Sequence, residues 1–280
     1  MPKFTVVTVC RNAARYIEET VESVLAQSVF RSGQCELEYL VCDGASTDGT
    51  LELLRPFESQ GVRVASEPDT GLYAALSKGL QRATGEYVAY LNAGDLLHGA
   101  GLGIAAECFE LPGVDWLTGY AAIYNEKSQL TRCWLPFRYR RKSFEYGAYG
   151  TMLPFLQQES TVWRRKLHAS VDFGFLEKLH YAGDAYLWKC FASVAELHVV
   201  RGVIGGFRIH RGQISERLGE YRMELRSFSR PPSVLERMQC VPERVLWHVP
   251  ERVKFVVNRS TLILYDHDRQ AWQLGKTAAA

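Results

Sequence analysis

The chain reads as an α/β protein with a mostly parallel central sheet and helices on both faces. Three observations carry this: short apolar runs without in–out alternation, amphipathic helical segments between them, and carboxylates where the runs end. A strand apolar at nearly every position is covered on both faces, as parallel sheets are. Strand–helix alternation is the mark of helical crossovers.

Residues 4–9 (FTVVTV) are β-branched and mostly apolar and give the first strand. After the loop beginning Cys10-Arg11-Asn12-Ala13, Ile17, Val21, Val24 and Leu25 fall at i, i+4, i+7 and i+8, an amphipathic helix ending near Gln27. Residues 37–42 (LEYLVC) form the second strand, with Asp43 at its carboxyl end. Residues 44–50 (GASTDGT) supply turn and cap chemistry for a helix from Leu51 to about Glu58. A third strand, residues 62–65 (VRVA), leads into the acidic turn Glu67-Pro68-Asp69 and Gly71. Tyr73, Leu76, Leu80 and Ala83 then make one helical stripe with Lys78 and Gln81 turned away, and Gly85 is expected to end that helix as a left-handed cap. Residues 86–91 (EYVAYL) read as a buried parallel strand ending in Asn92-Ala93-Gly94-Asp95. A carboxylate at the carboxyl end of a central parallel strand is where open α/β sheets bind ligands.

Composition narrows the class. A chain of 280 residues can bury a sizeable core in one large domain, or in one domain plus an extension. A formal charge of +2 is too small to argue for nucleic acid as a partner. The seven cysteines are scattered without paired spacing, which points to reduced thiols in a cytosolic protein rather than zinc or a disulfide framework. Met1-Pro2-Lys3-Phe4 leads into a strand with no leader pattern, and no apolar run approaches the roughly 18–20 residues of a membrane span.

Five pieces in order over residues 4–215 resemble the family-2 nucleotide-sugar glycosyltransferases: the first strand, VCDGASTDGT, SEPDTGLY, ATGEYVAYLNAGD and YAGDAYLW. The resemblance implies an inverting enzyme with a Rossmann-like nucleotide-binding domain of the GT-A type over residues 1–215, followed by a C-terminal extension over 216–280. It also implies donor-binding positions along the carboxyl edge of the sheet. These are Thr8, Val9 and Arg11 after the first strand, Asp43 at the base and ribose, and Glu67, Asp69, Gly71 and Lys78 around the glycine turn. Asn92, Ala93 and Gly94 precede the metal-binding acid Asp95, and Arg208 and His210 close the donor site. The implied cofactor is Mg²⁺ or Mn²⁺, and the implied donor is a nucleoside-diphosphate sugar, a UDP-sugar first among them. The implied acceptor is a glycan or lipid-linked glycan of bacterial surface polysaccharide, met in the cytoplasm or at the inner face of the membrane.

Chemistry agrees: a diphosphate leaves well only when its developing charge is neutralised, and a divalent ion on one or two carboxylates is the usual means. Two departures stand out. Gly94-Asp95 replaces the two acids of many relatives, so a metal leans on another ligand, for which His210 is available. Tyr73-Ala74-Ala75 stands where relatives have Tyr-Asp-Ala. Plainer readings of the same residues are a turn-forming Asp43, a helix-capping Asp95 or Asp184, and a structural His210.

Residues 115–124 (DWLTGYAAIY) look like one strand resuming the sheet, with Gly119 allowing a close approach. The basic, aromatic stretch 134–142 (WLPFRYRRK) suits either a solvated loop or a lipid-diphosphate or membrane contact. Residues 157–163 (QQESTVW) read as an edge element carrying Glu159. In 173–188, Asp184 sits in a helix's first turn, where the dipole favours the ionised form, as a general base requires. Residues 216–229 carry a helical stripe, Tyr221, Leu225 and Phe228, broken by Pro231-Pro232. The extension can pack on the sheet, form a homodimer or carry an amphipathic membrane surface, and the small-residue tail 277–280 is expected to fray.

Two enzyme rivals fail on one point. A sugar-phosphate nucleotidyltransferase or a dinucleotide oxidoreductase needs a glycine-rich phosphate loop after the first strand, and Cys10-Arg11-Asn12-Ala13-Ala14 has no glycine. A non-catalytic partner subunit of a polysaccharide assembly complex is favoured by Ala74 and Gly94 and opposed by Asp95 and Asp184.

Overall fold

The structure is a computed structural model describing residues 1–258 and 261–275, so the tail 277–280 lies outside the described residues. Strands β1 (Lys3–Cys10), β2 (Glu36–Asp43), β3 (Val62–Ser66) and β4 (Tyr87–Asn92) form a parallel set in the order β3-β2-β1-β4. Successive residues of β1 serve opposite layers. Val7 and Val9 pack with Leu76, Leu80 and Val88 on one face, and Phe4 and Val6 with Ile17, Val21 and Val24 on the other. This double burial is why the strand lacks alternation.

The remaining strands are β5 (Leu96–Leu97), β6 (Trp116–Thr118), β7 (Ala121–Tyr124), β8 (Leu130–Trp134), β9 (Thr161–Arg164), β10 (Leu197–Val200), β11 (Gly205–Arg208), β12 (Leu262–Asp266) and β13 (Ala271–Leu274). The main sheet continues past β4 as β9-β6-β10-β12-β13, with β9 and the outermost β13 antiparallel to their neighbours. A smaller sheet, β5-β11-β7-β8, stands beside it. The chain after residue 215 is built into this body, since β12 pairs with β10 and the helix Leu218–Phe228 packs on the helix Gly183–Val194.

Three local expectations are corrected. Gly85 is not a left-handed cap: a Cβ there would lie 2.6 Å from the Thr5 amide nitrogen, so the residue is small to let the chain pass β1. Residues 115–124 are two strands in two sheets. The break falls at Gly119, where a Cβ would meet the Gly202 carbonyl at 2.5 Å and Tyr120 N donates to that carbonyl. Residues 161–164 are not an edge: β9 lies between β4 and β6, with Val162 and Trp163 fully buried.

Candidate active site

The parallel register brings the functional ends level. Asp43 pairs with Cys10 across β2–β1 and Asn92 with Val9 across β4–β1, so the chain leaves the sheet at one carboxyl edge. Asp43 is buried and held by Ser46 N at 2.9 Å and Ser66 Oγ at 2.7 Å, with Ser46 Oγ also donating to it. Burial works to raise its pKa, but these hydrogen bonds and one from Cys10 hold it below the ordinary carboxylate range. Asp69 folds over the adjacent turn. Its Oδ2 lies 2.5 Å from where a Gly44 Cβ would stand, Arg11 borders the same glycine, and its Oδ1 accepts from Gly71 N. A side chain at position 44 would push Asp69 aside.

Asp95 sits in the turn after β4, buried, with Oδ1 accepting from Arg208 N at 3.0 Å and Oδ2 from Gln158 Nε2 at 3.2 Å. Burial pushes its pKa up to about 7 against the pull of those donors. Glu159, in the turn before β9, is as deeply buried, and its Oε1 has no partner. Burial first, then the charge of Asp95, drives its pKa well above the usual range. Asp184 completes the set. It is half-buried in the first turn of Gly183–Val194, its Oδ1 accepting from Ala185 N at 2.7 Å and from the Tyr73 hydroxyl at 3.4 Å. Burial raises it to about 6, so desolvation outweighs the helix dipole, and the group is still mostly ionised at pH 7.

Other expected positions divide. His210 is half-buried against Tyr16, with its Nε2 3.8 Å from where a Gly94 Cβ would be. Gly94 has φ +118, which only glycine holds easily, and Ala93 is tied to Val9 O. The Asn92 carbonyl accepts from Asp95 N, and its Oδ1 is buried without a partner. Gly71 opens the helix Leu72–Arg82 facing His180. Glu67 pairs with Lys78 at 3.1 Å and with Arg82, so Lys78, off the apolar stripe, reaches the acidic turn.

Three further expected positions have buried side chains. Thr8 Oγ1 is bound to the Tyr39 hydroxyl at 2.9 Å and Val9 lies in the core, so neither offers a side chain to a ligand. Arg208 is fully buried behind the turn, giving Nε to Gly94 O at 2.6 Å and Nη2 to Glu19 at 2.7 Å. It shapes the Asp95 turn.

Two positioning residues were missed. The Tyr73 ring fills the space above Gly183, where a Cβ would stand 2.3 Å from it, and its hydroxyl meets Asp184. In the sequence it was one more member of an apolar stripe. Glu224, on Leu218–Phe228, accepts from His180 N, Tyr181 N and Ala182 N at 2.6–2.8 Å and fixes the loop that delivers Asp184. Nothing in the sequence links these residues. Glu224→Ala is expected to lower stability by roughly 2–3 kcal/mol, as charge-assisted bonds do, and to lower kcat while donor affinity holds. Denaturant titration and steady-state kinetics check this.

A crevice of about 690 Å³ lies elsewhere, among Glu86, Asp115, Arg164 and Lys166, whose charges pair with one another. Among the described residues no group of three or more His, Cys, Asp or Glu side chains could cage a metal. A divalent ion at Asp95 would take most of its ligands from donor phosphates and water, as Mg²⁺ commonly does. The residues fit such an ion: burial raises both carboxyls, the charge of Asp95 raises Glu159 further, one Glu159 oxygen lacks a partner, and a positive charge is what the site needs.

A parallel sheet covered on both faces, with acids gathered at its carboxyl edge, has its acids where open α/β sheets bind their ligands. The chain belongs to glycosyl transferase family 2, whose model matches residues 5–150. It is 40% identical over 97 residues to the putative teichuronic acid biosynthesis glycosyltransferase TuaG of Bacillus subtilis, spanning 34% of this chain and 36% of that protein. It is 34% identical over 88 residues to the chondroitin synthase of Pasteurella multocida, or 31% of this chain and 9% of that one. The matched segments thus cover about a third or less of these relatives. The fold is similar to that of S. aureus TarS 1-349, with a TM-score of 0.57 and 18% identity over 87% of this chain and 82% of that one. It is similar also to the mannosyltransferase PcManGT from Pyrobaculum calidifontis, solved with GDP-Man and Mn²⁺, with a TM-score of 0.58 and 18% identity over 91% and 74%. The fold is of the GT-A type.

Proposed function

We propose that this chain is an inverting glycosyltransferase that moves a sugar from a nucleoside-diphosphate sugar to an acceptor hydroxyl in surface polysaccharide or glycolipid assembly. The observation that carries this is the convergence of Asp95, Glu159 and Asp184 at the carboxyl edge, with Asp184 lifted to about pH 6. Residues 1–215 form the catalytic unit, and 216–280 support it through Glu224 and β12. Asp43, with Arg11 and the Asp69–Gly71 turn, binds the nucleoside. A UDP-sugar is the first donor to try.

In the reaction, Asp184 accepts the acceptor hydroxyl's proton as that oxygen bonds to the anomeric carbon. The bond from that carbon to the diphosphate oxygen breaks on the opposite face, which inverts the centre. Asp95, with His210 as a second ligand, would hold Mg²⁺ or Mn²⁺, and the ion would supply positive charge to the leaving diphosphate. Tyr73 and Glu224 keep Asp184 in place. No carboxylate is assigned to the opposite sugar face, as a retaining mechanism would need.

The base works only when deprotonated. With Asp184 at about 6, kcat/KM is expected to be flat near pH 7 and to fall about tenfold per unit below pH 6. A pH–rate profile at saturating Mn²⁺ tests this; a rate unchanged down to pH 4.5 would remove Asp184 from the role. The partner-subunit reading, which Ala74 and Gly94 favour, predicts no turnover at any pH.

A further inference from the structure

We infer that the helix Val234–His248 is a docking face for an anionic lipid bilayer. The helix is fixed to the body by one side only. Cys240, Glu243 and Trp247 are buried, the Trp247 ring packs edge-on against Tyr139 at 5.1 Å, and Glu243 pairs with Arg140 at 3.4 Å. The opposite side carries Val234, Met238, Val241 and Val245 at i, i+4, i+7 and i+11, each 62–74% exposed, with Leu235 beside them at 71%. A helix on a water-facing surface turns its polar side outward, and this one does the reverse. At 15 residues the stripe is about 22 Å long.

Charge selects the occupant. Arg237 and Arg244 run along one margin of the stripe, both exposed and in no ion pair among the described residues. Every acid of the helix is engaged elsewhere: Glu236 pairs with Arg230 and caps Ser233 N, and Glu243 is buried. The next helix, Glu251–Val257, repeats the pattern with exposed Arg252, Val253 and Val256, while Glu251 accepts from the Tyr120 hydroxyl. A second copy across a two-fold would set these arginines beside one another with no acid on the face to answer them. An anionic bilayer takes the apolar stripe below its headgroups and the guanidiniums at phosphate level. Since Leu218–Phe228, immediately before, carries the Glu224 clamp, docking here would orient the Asp184 side of the cleft relative to the membrane. The inference stands apart from the transfer reaction, because vesicle binding needs no donor.

The test is flotation of the full chain with vesicles of phosphatidylcholine alone or mixed with phosphatidylglycerol. The wild type is expected to float with the mixed vesicles, less so with neutral ones and less at high salt. Leu235→Gln/Met238→Gln/Val241→Gln is expected to lose binding by about tenfold or more, with its melting temperature kept because these side chains cover no core. Arg237→Glu/Arg244→Glu is expected to lose the preference for anionic lipid. Failure of the wild type to float with either vesicle overturns the inference, as does a triple-Gln variant that floats equally well. A wild-type dimer that the triple-Gln variant converts to monomer, with no vesicle binding, assigns the face to a second copy and overturns it as well.

Discussion

Asp184→Asn is expected to lower kcat for nucleoside-diphosphate release by roughly 10²–10⁴, the range a general base supplies. The variant should fold and bind donor as the wild type does. The side chain meets only Ala185 N and the Tyr73 hydroxyl, and an amide keeps an oxygen for both. It cannot accept the acceptor's proton, so the loss falls on kcat and leaves KM for the donor in place. It also removes the acid limb of the pH profile, since the group titrating near 6 is gone. A variant with wild-type kcat would mean another group takes the proton, and Glu159, buried and unpartnered at Oε1, would be the next to replace.

Asp95→Asn is the second large effect, acting on the leaving group rather than the nucleophile. The rate is expected to fall about 10²–10³, as when one element of preorganised charge stabilisation is removed, and its dependence on Mn²⁺ should disappear. The fold should tolerate the change. Oδ1 needs only to accept from Arg208 N, and the new amide's N–H₂ can face Gln158, whose own Oε1 is free to turn toward it. Melting in EDTA should therefore be no lower than for the wild type. Full activity with unchanged Mn²⁺ dependence would separate Asp95 from the metal.

The parallel half of the sheet was legible because its strands are apolar on both faces and end in acids, and the register of β1 with β2 and β4 then fixes where Asp43 and Asp95 stand. The fourth-to-ninth-strand contact was not legible. TVWR is four residues long beside a polar turn, and only its place between β4 and β6 shows why Trp163 belongs inside. Thr8 and Val9 were drawn into the site because they lie near a strand end, but β1 runs on to Cys10 and leaves their side chains in the core. Tyr73 and Glu224 act on partners 108–111 and 42–44 residues away, and no periodicity encodes such pairs. The helix Val234–His248 is apolar on two sides. With Pro242 in its middle it was not read as a helix, and only the contacts of Trp247 and Cys240 tell which stripe is covered.

The most direct measurement is thermal unfolding of the wild type with Mn²⁺ and, in turn, UDP, GDP, dTDP and CDP, each repeated with EDTA. A nucleotide at roughly a hundred times its dissociation constant adds about 2.7 kcal/mol, which in a chain of this size raises the melting temperature by several degrees. Such a rise is expected for one nucleotide, UDP first, and its loss with EDTA. No rise with any of the four, with or without Mn²⁺, would contradict a nucleotide-sugar site at the carboxyl edge of this sheet.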